Sequence, residues 1–385
     1  MSTTGVQTPT LKAGKATTLV DLVHQLGPAF RERADEHDRT DTFVARNYEA
    51  LREHRFFAAL IPTELGGGGL AHADMCEILR ILAQYCSSTA LALSMHQHLL
   101  GANVWKFRKG LGAEEMLRKV AANQPVLVST GAKDWLDSNG EMKKADGGFT
   151  YSGTKSFASQ SAGGNILVTS GPYNDPEQGW QVLHFPVPFS SPGVSILDDW
   201  YTMGMRGTGS QTVKLDNVFV PESAIVMRRP RGEFHPFYNV IILVALPLIM
   251  SVYLGVAQRA SAIALSTARK RVNQHHPHLV GEMNNSLTAA EVQWSDMIRI
   301  ANNFDFDPLN RLGHEVLTRK TNVAEACIRT VEKAMEVVGG QAYYRNLGLE
   351  KLFRDVQGAR YHPMQAMEQL QYSGKLLLED QETVR

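Results

Sequence analysis

Residues 203–222 read MGMRGTGSQTVKLDNVFVPE. Glycines at 204, 207 and 209 break any regular helix in the first half, so that half is turn-rich. The second half, QTVKLDNVFV, is a β-prone run that ends at Pro221. Working back along the chain, similar short runs precede it: VLVST at 126–130, GFTYSGTKSFAS at 148–159, NILVTS at 165–170, WQVLHFPV at 180–187 and GVSIL at 193–197. Clusters of Gly, Pro, Asn and Asp separate them, which is the texture of an antiparallel sheet or small barrel. Outside this zone the apolar spacing turns helical, with Leu19, Val23 and Leu26 on one side and Ile78, Leu79 and Leu82 further on. Helical spacing resumes from about Glu233, broken only by Gly339-Gly340 and Gly348. The order helices, strands, helices defines an α+β protein. Its expected parts are a polar leader over 1–17, a helical domain over 18–122, a β domain over 123–232 and a helical bundle over 233–385.

Composition narrows the function classes. Of 385 residues, 43% are hydrophobic and 20% charged, the balance of a globular protein. A formal net charge of zero gives no electrostatic footprint for nucleic acid or an anionic membrane. Cys76, Cys86 and Cys327 are widely spaced, which fits a reducing cytoplasm and speaks against a disulfide framework or a zinc site. The leader carries no apolar signal core. Val240–Ala257, VIILVALPLIMSVYLGVA, is long enough to span a bilayer, yet it holds Pro247, Ser251 and Gly255 and continues into polar helix. Its expected place is the buried centre of the C-terminal bundle. No GxGxxG follows a strand and no GxxxxGK[ST] loop occurs, so the common dinucleotide and P-loop sites are excluded.

Four stretches together resemble the acyl-CoA dehydrogenase superfamily, over roughly residues 18–380. IPTELGGGGL at 61–70 is similar to the family's P-E-x-G-G-x-G loop, and GTKSFASQSAGGNILV at 153–168 to its G-x-K-x-[WF]-x-[ST] segment. MGMRGTGSQTVKLDNVFVPE resembles G-x-R-G-[ST]-x-[ST] followed by F-x-x-V-x-V-P, and EVVGGQAYYRNLGLEKLFRDV at 336–356 resembles GG-x-x-[YF] followed by L-x-x-x-x-RD. The resemblance implies an N-terminal helical domain, a middle antiparallel β domain and a C-terminal four-helix bundle. It also implies a flavin, FMN or FAD, and a homo-oligomer, usually a tetramer. The flavin contacts it implies are Ser129, Phe157, Ala158, Ser159 and Arg206, with Gly339 and Gly340 approaching a neighbouring subunit's cofactor. If Phe157 and Ser159 lie on one strand, their spacing puts both on the same face. Arg271, in ARKRVNQHH, stands at the Arg of the family's R-x-x-F-G stretch, but Gln274 replaces the aromatic and no Gly follows. That departure leaves FMN and FAD both open.

The catalytic carboxylate of a dehydrogenase has no counterpart. Eight residues past Asp355 stands Pro363, and NVIILVAL at 239–246, where isovaleryl-type members carry their Glu, holds no acid. His362 in RYHPM, Ser159, and His96 in LSMHQHLL resemble instead the site residues of the flavin monooxygenase branch typified by dibenzothiophene monooxygenase. The implied reaction uses reduced flavin and O2 through a C4a-hydroperoxide, shielded from water and steadied by hydrogen-bond donors. His96, Ser159 and His362 are its expected catalytic residues; His98 reads as structural. A small-molecule substrate and a separate flavin reductase are the implied partners, since no nicotinamide site is visible. The alternative is an acyl-CoA dehydrogenase or oxidase with a displaced base.

Overall fold

A computed structural model describes residues 15–130, 135–270 and 276–379. The expected leader, Arg271 and Gln274 fall largely or wholly outside them. Five helices come first: α1 (Lys15–Thr40), α2 (Ala45–Glu53), α3 (His72–Ala83), α4 (Ser87–Arg108) and α5 (Glu114–Asn123). Eight strands follow: β1 (Leu127–Ser129), β2 (Glu141–Ala145), β3 (Gly148–Lys155), β4 (Ile166–Asp175), β5 (Gly179–Pro188), β6 (Val194–Ile196), β7 (Val213–Pro221) and β8 (Met227–Pro230). Five more helices close the chain: α6 (Phe237–Ala268), α7 (His276–Ala301), α8 (Asn310–Val338), α9 (Leu349–Val356) and α10 (Ala366–Glu379).

The strands form two four-stranded sheets, ordered β1-β4-β5-β8 and β2-β3-β7-β6. Every pair is antiparallel except β1 with β4. The sheets face each other, with Tyr151 edge-on to Phe185 at 5.4 Å and Phe149 edge-on to Tyr173 at 5.1 Å. Gly171 is required where they cross, because a Cβ there would lie 2.6 Å from the Tyr151 ring. The four-glycine run folds back on the chain before it. Gly68 and Leu70 donate to the carbonyls of Ala58 and Ala59, and a Cβ on Gly67 would strike the Ile61 carbonyl at 2.2 Å.

Helix α6 is apolar and long enough to cross a membrane, but 94% of its most apolar window is buried inside the protein. It packs against α3, α4, α7, α8 and α9, so it is a core helix. Its internal Pro247 lacks the N–H a helix needs. The surrounding turn is tied by side chains: Ser251 Oγ donates to the Pro247 carbonyl at 2.7 Å, and Trp294 Nε1 donates to Ser251 Oγ at 2.8 Å.

One pair of residues joins all three zones. Arg354 on α9 grips both oxygens of Asp38 on α1, at 2.9 and 2.6 Å, and donates to the Met203 carbonyl at 2.9 Å. Its neighbour Asp355, fully buried, accepts from the Met205 N–H at 2.6 Å and from Ser87 Oγ, at the start of α4, at 2.6 Å. Burial pushes the Asp355 carboxyl above its ordinary pKa, and the two donors pull it back down. Removing the acceptor strands both donors. Asp355→Ala is therefore expected to lower unfolding stability by about 2–4 kcal/mol, as the sum of two unsatisfied buried groups. Urea denaturation followed by circular dichroism checks this; an unchanged midpoint would show that the three zones are joined elsewhere.

Candidate active site

The loop after β3 and the loop before β7 lie side by side because their strands are paired, with Lys155 opposite Val213. Gln160, in the left-handed region at φ 63°, ties the first loop down. Its amide nitrogen donates to the Leu127 carbonyl at 2.8 Å, its side-chain oxygen accepts from Tyr48 Oη at 2.5 Å, and its backbone N–H donates to the Thr208 carbonyl at 2.8 Å. Between the loops runs a row of hydroxyls. Thr208 Oγ1 donates to the Met205 carbonyl at 2.9 Å and lies 2.7 Å from Ser210 Oγ. Ser210 Oγ donates to Ser159 Oγ at 2.9 Å, which leaves the proton of half-buried Ser159 for a ligand.

Phe157 does not share a strand face with Ser159. β3 ends at Lys155, and Phe157 sits at φ 57° with 54% of its surface exposed, its ring edge-on to Trp200 at 5.9 Å. The strand-spacing expectation fails because the chain turns between them, where the Ser159 N–H donates to the Phe157 carbonyl at 2.9 Å. Both residues still lie on the same loop, Phe157 exposed and Ser159 half-buried. Ala158 is a correction: it is fully buried and its N–H is spent on the Gln211 carbonyl at 3.2 Å, so it offers a flavin nothing. Arg206 is a second. Its Nε donates to the Thr202 carbonyl at 2.8 Å and its Nη1 to the Asp38 carbonyl at 3.0 Å, with Asp41 3.6 Å away, so it anchors the loop to α1. Ser129 is half-buried at the end of β1. Gly339 and Gly340 are exposed, with open space where a Cβ would stand.

His362 lies across the 204–210 loop from the hydroxyl row. A Cβ on Gly358 would lie 2.7 Å from Tyr253 Oη and 3.6 Å from Met205 Cγ, so the side chains of Tyr253 and Met205 close on the backbone there. Tyr253 is fully buried on α6, and its Oη lies 2.7 Å from His362 Nε2. Burial raises the Tyr253 pKa, which keeps the phenol protonated. That hydroxyl has no other partner among the described residues, so it donates to Nε2 and leaves the imidazole proton on Nδ1. Burial, and the nearby Lys320 charge, lower His362 to about 3. Lys320 is buried on α8 and donates to the carbonyls of His362 at 2.8 Å and Met364 at 3.0 Å. Burial lowers its own pKa to about 8.

His96 is the third correction. Its Nδ1 accepts from the Leu127 N–H at 3.1 Å and its Nε2 donates to the Phe57 carbonyl at 2.9 Å. The ring is fully buried, and burial lowers it to about 4. Both nitrogens are spent on backbone, so His96 is a strut between α4, the turn at Phe57 and β1. Leu93 and Val104 on the same helix are also core. Tyr253 and Lys320 were missed from sequence. The signal for Tyr253 was a phenol hydroxyl inside an eighteen-residue apolar run; Lys320 had none.

Comparison with known proteins agrees with this architecture. The model of the acyl-CoA dehydrogenase N-terminal domain matches residues 21–124, and that of the acyl-CoA dehydrogenase C-terminal domain matches residues 248–366. The chain is 27% identical to the putative acyl-CoA dehydrogenase YdbM of Bacillus subtilis, over 89% of this chain and 92% of that one. It is 23% identical to dibenzothiophene monooxygenase of Rhodococcus erythropolis, over 89% of each. The crystal structure of KijD3 with FMN and an amino-sugar nucleotide superposes with a TM-score of 0.87 at 26% identity, covering 100% of this chain and 98% of that one.

Buried neutral histidines make the fold sensitive to acid. His72 and His96, both lowered to about 4, are neutral when folded, while the unfolded chain protonates near 6.5. Their contribution is therefore complete above pH 6.5 and is lost as pH falls toward 4. Each is expected to cost about 1–2 kcal/mol of stability by pH 5. Urea midpoints at pH 7 and pH 5 check this. His96→Ala is expected to lower stability at both, and a variant as stable as the parent would return His96 to the site.

Proposed function

We propose that this chain, which belongs to the acyl-CoA dehydrogenase superfamily, is a flavin-dependent monooxygenase that works with reduced FMN and O2. The observation that carries the reading is the Tyr253–His362 pair beside Pro363, at the place where a dehydrogenase of this superfamily presents its carboxylate. An imidazole held near 3 is a poor base for removing a proton from the carbon next to a thioester. The same neutral ring, with its proton on Nδ1, is a fixed hydrogen-bond donor.

The residues present fit a flat ring system. Phe157 offers an exposed aromatic face steadied by Trp200, and Ser159 offers a hydroxyl whose own proton is uncommitted. Ser129, at the end of β1, completes the candidate flavin contacts on the β side. When bound, reduced flavin supplies the two electrons that send one atom of O2 to water and the other to the substrate. The chain's own groups position and shelter that chemistry. Ser159 donates from the β side; His362 donates through Nδ1–H from the α side; Tyr253 fixes the imidazole tautomer; Lys320 holds the turn that carries it. FMN is favoured because a relative superposing over the whole chain was crystallised with it. A separate reductase supplies the reduced flavin. The proposal also includes a cytoplasmic homotetramer, with exposed Gly339 and Gly340 admitting a neighbouring copy.

The reading is tested by supplying FMN, NADH and a flavin reductase under 18O2 and screening candidate substrates by mass spectrometry. One 18O atom in the organic product is expected. Bleaching of oxidised flavin by a saturated acyl-CoA, without oxygen incorporation, would overturn it. His362→Ala is expected to abolish product and divert the electrons to hydrogen peroxide, with Tyr253→Phe intermediate; unchanged coupling in His362→Ala would remove that residue from the site. Ser159→Ala is expected to weaken FMN binding about 3- to 10-fold, the loss of one hydrogen bond, read by flavin fluorescence titration.

A further inference from the structure

The row of hydroxyls behind Ser159 has more contacts to fill than protons to fill them. Thr208 Oγ1 lies 2.9 Å from the Met205 carbonyl and 2.7 Å from Ser210 Oγ, and Ser210 Oγ lies 2.9 Å from Ser159 Oγ. Thr208 is fully buried and Ser210 nearly so, while half-buried Ser159 forms the open end. Each hydroxyl brings one proton, which turns freely about its C–O bond, and two lone pairs. If Thr208 gives its proton to the carbonyl while Ser210 gives its own to Ser159, Thr208 and Ser210 face each other with lone pairs alone. The row is satisfied only when all its bonds run one way.

Both ways are open. In the outward order Thr208 donates to Ser210, Ser210 to Ser159, and Ser159 to a ligand. The Met205 carbonyl then keeps two other donors, the Thr208 N–H at 3.1 Å and Trp200 Nε1 at 3.3 Å. In the inward order Ser159 donates to Ser210, Ser210 to Thr208, and Thr208 to the Met205 carbonyl, so Ser159 turns a lone pair to the ligand. Every proton has an acceptor in either order, so neither order carries the cost of a buried donor left unmet. Passing between them takes three hydroxyl rotations. No covalent bond breaks and no net proton moves. The carbonyl end stays fixed, because the Met205 N–H is held by Asp355 at 2.6 Å.

We propose that Thr208 and Ser210 are positioning residues that let Ser159 match both oxidation states of a flavin. The ring nitrogen at the flavin's centre, N5, carries a lone pair when the ring is oxidised and an N–H after two-electron reduction. The outward order gives the first a donor, and the inward order gives the second an acceptor. A serine standing alone would serve the oxidised ring equally well. Facing the reduced ring, it would have to accept while its own proton went unmet. The two hydroxyls behind it take that proton and pass the demand on to a carbonyl. Thr208 is separated from the ligand by two oxygens, so its effect reaches the flavin only through the row.

The inference rests on the part of the proposed function that sets a flavin against Ser159, and on no oxygen chemistry. Its test is the midpoint potential of bound FMN, measured anaerobically, together with the affinity for oxidised FMN. Thr208→Val keeps the side chain's shape and strands the Ser210 proton in the inward order; Ser210→Ala strands that of Ser159. Each is expected to leave oxidised FMN bound about as tightly as in the parent and to weaken reduced FMN about 3- to 10-fold, the value of one hydrogen bond. That ratio is a midpoint about 14–30 mV more negative for a two-electron couple. Ser210→Thr, which restores the hydroxyl, is expected to hold the parent midpoint. Ser159→Ala is expected to weaken both states alike. An unchanged midpoint in Thr208→Val or in Ser210→Ala, or an equal loss in both oxidation states, overturns the relay. Unchanged affinity for both states in Ser159→Ala removes the flavin from this row and sinks the inference as well. A shifted midpoint in a protein that never incorporates oxygen would sink the oxygenase reading alone, and oxygenation with an unchanged midpoint would sink the relay alone.

Discussion

Everything in this structure hangs on two adjacent side chains, Arg354 and Asp355. They are neighbours on one short helix. Arg354 holds α1 through Asp38, and Asp355 holds α4 through Ser87. Both also hold the loop at 203–205, through the Met203 carbonyl and the Met205 N–H. The helical layers and the β domain therefore meet at one buried node. The loop it fixes is the one between the Ser159 hydroxyl row and the Tyr253–His362 pair, so the node that joins the domains also sets the spacing of the site.

The site is notable for groups kept neutral. His362 loses its charge to burial and to Lys320, and Tyr253 is kept protonated by burial. No carboxylate is bonded to the Tyr253–His362 pair or to Lys320 among the described residues. A neutral imidazole donor suits the proposed reaction, which must hold reactive oxygen away from stray protons. It does not suit one that begins by pulling a proton from carbon. The difference from a dehydrogenase is thus written in charge state as much as in residue identity.

The fold was legible because its signals are local. Alternating β-prone runs between Gly and Pro clusters marked the middle zone, and the apolar run at 240–257 marked the core helix. The site was legible only in part. Ser159 and His362 sit in loops that the sequence pattern flagged, the first bonded to Ser210 and the second to Tyr253. His96 and His98 are separated by one residue on one helix, and sequence alone cannot say which ring meets backbone. The answer depends on where the Phe57 carbonyl and the Leu127 N–H arrive, and both come from distant segments. Arg206 misled for the same reason: the acidic end of α1 that captures it is more than 160 residues away in sequence. Tyr253 and Lys320 act on a turn far along the chain, and no spacing rule connects them to it.

The most direct test of the oxygenase account is rapid mixing of the anaerobically reduced, FMN-loaded protein with O2. Reoxidation is expected to pass through a transient whose spectrum matches neither reduced nor oxidised FMN, and whose decay is slow enough to be resolved. Direct, single-step return to oxidised FMN, together with reduction of that FMN by an acyl-CoA, would mean that the neutral pair guards nothing and that the chain is a dehydrogenase with its base elsewhere.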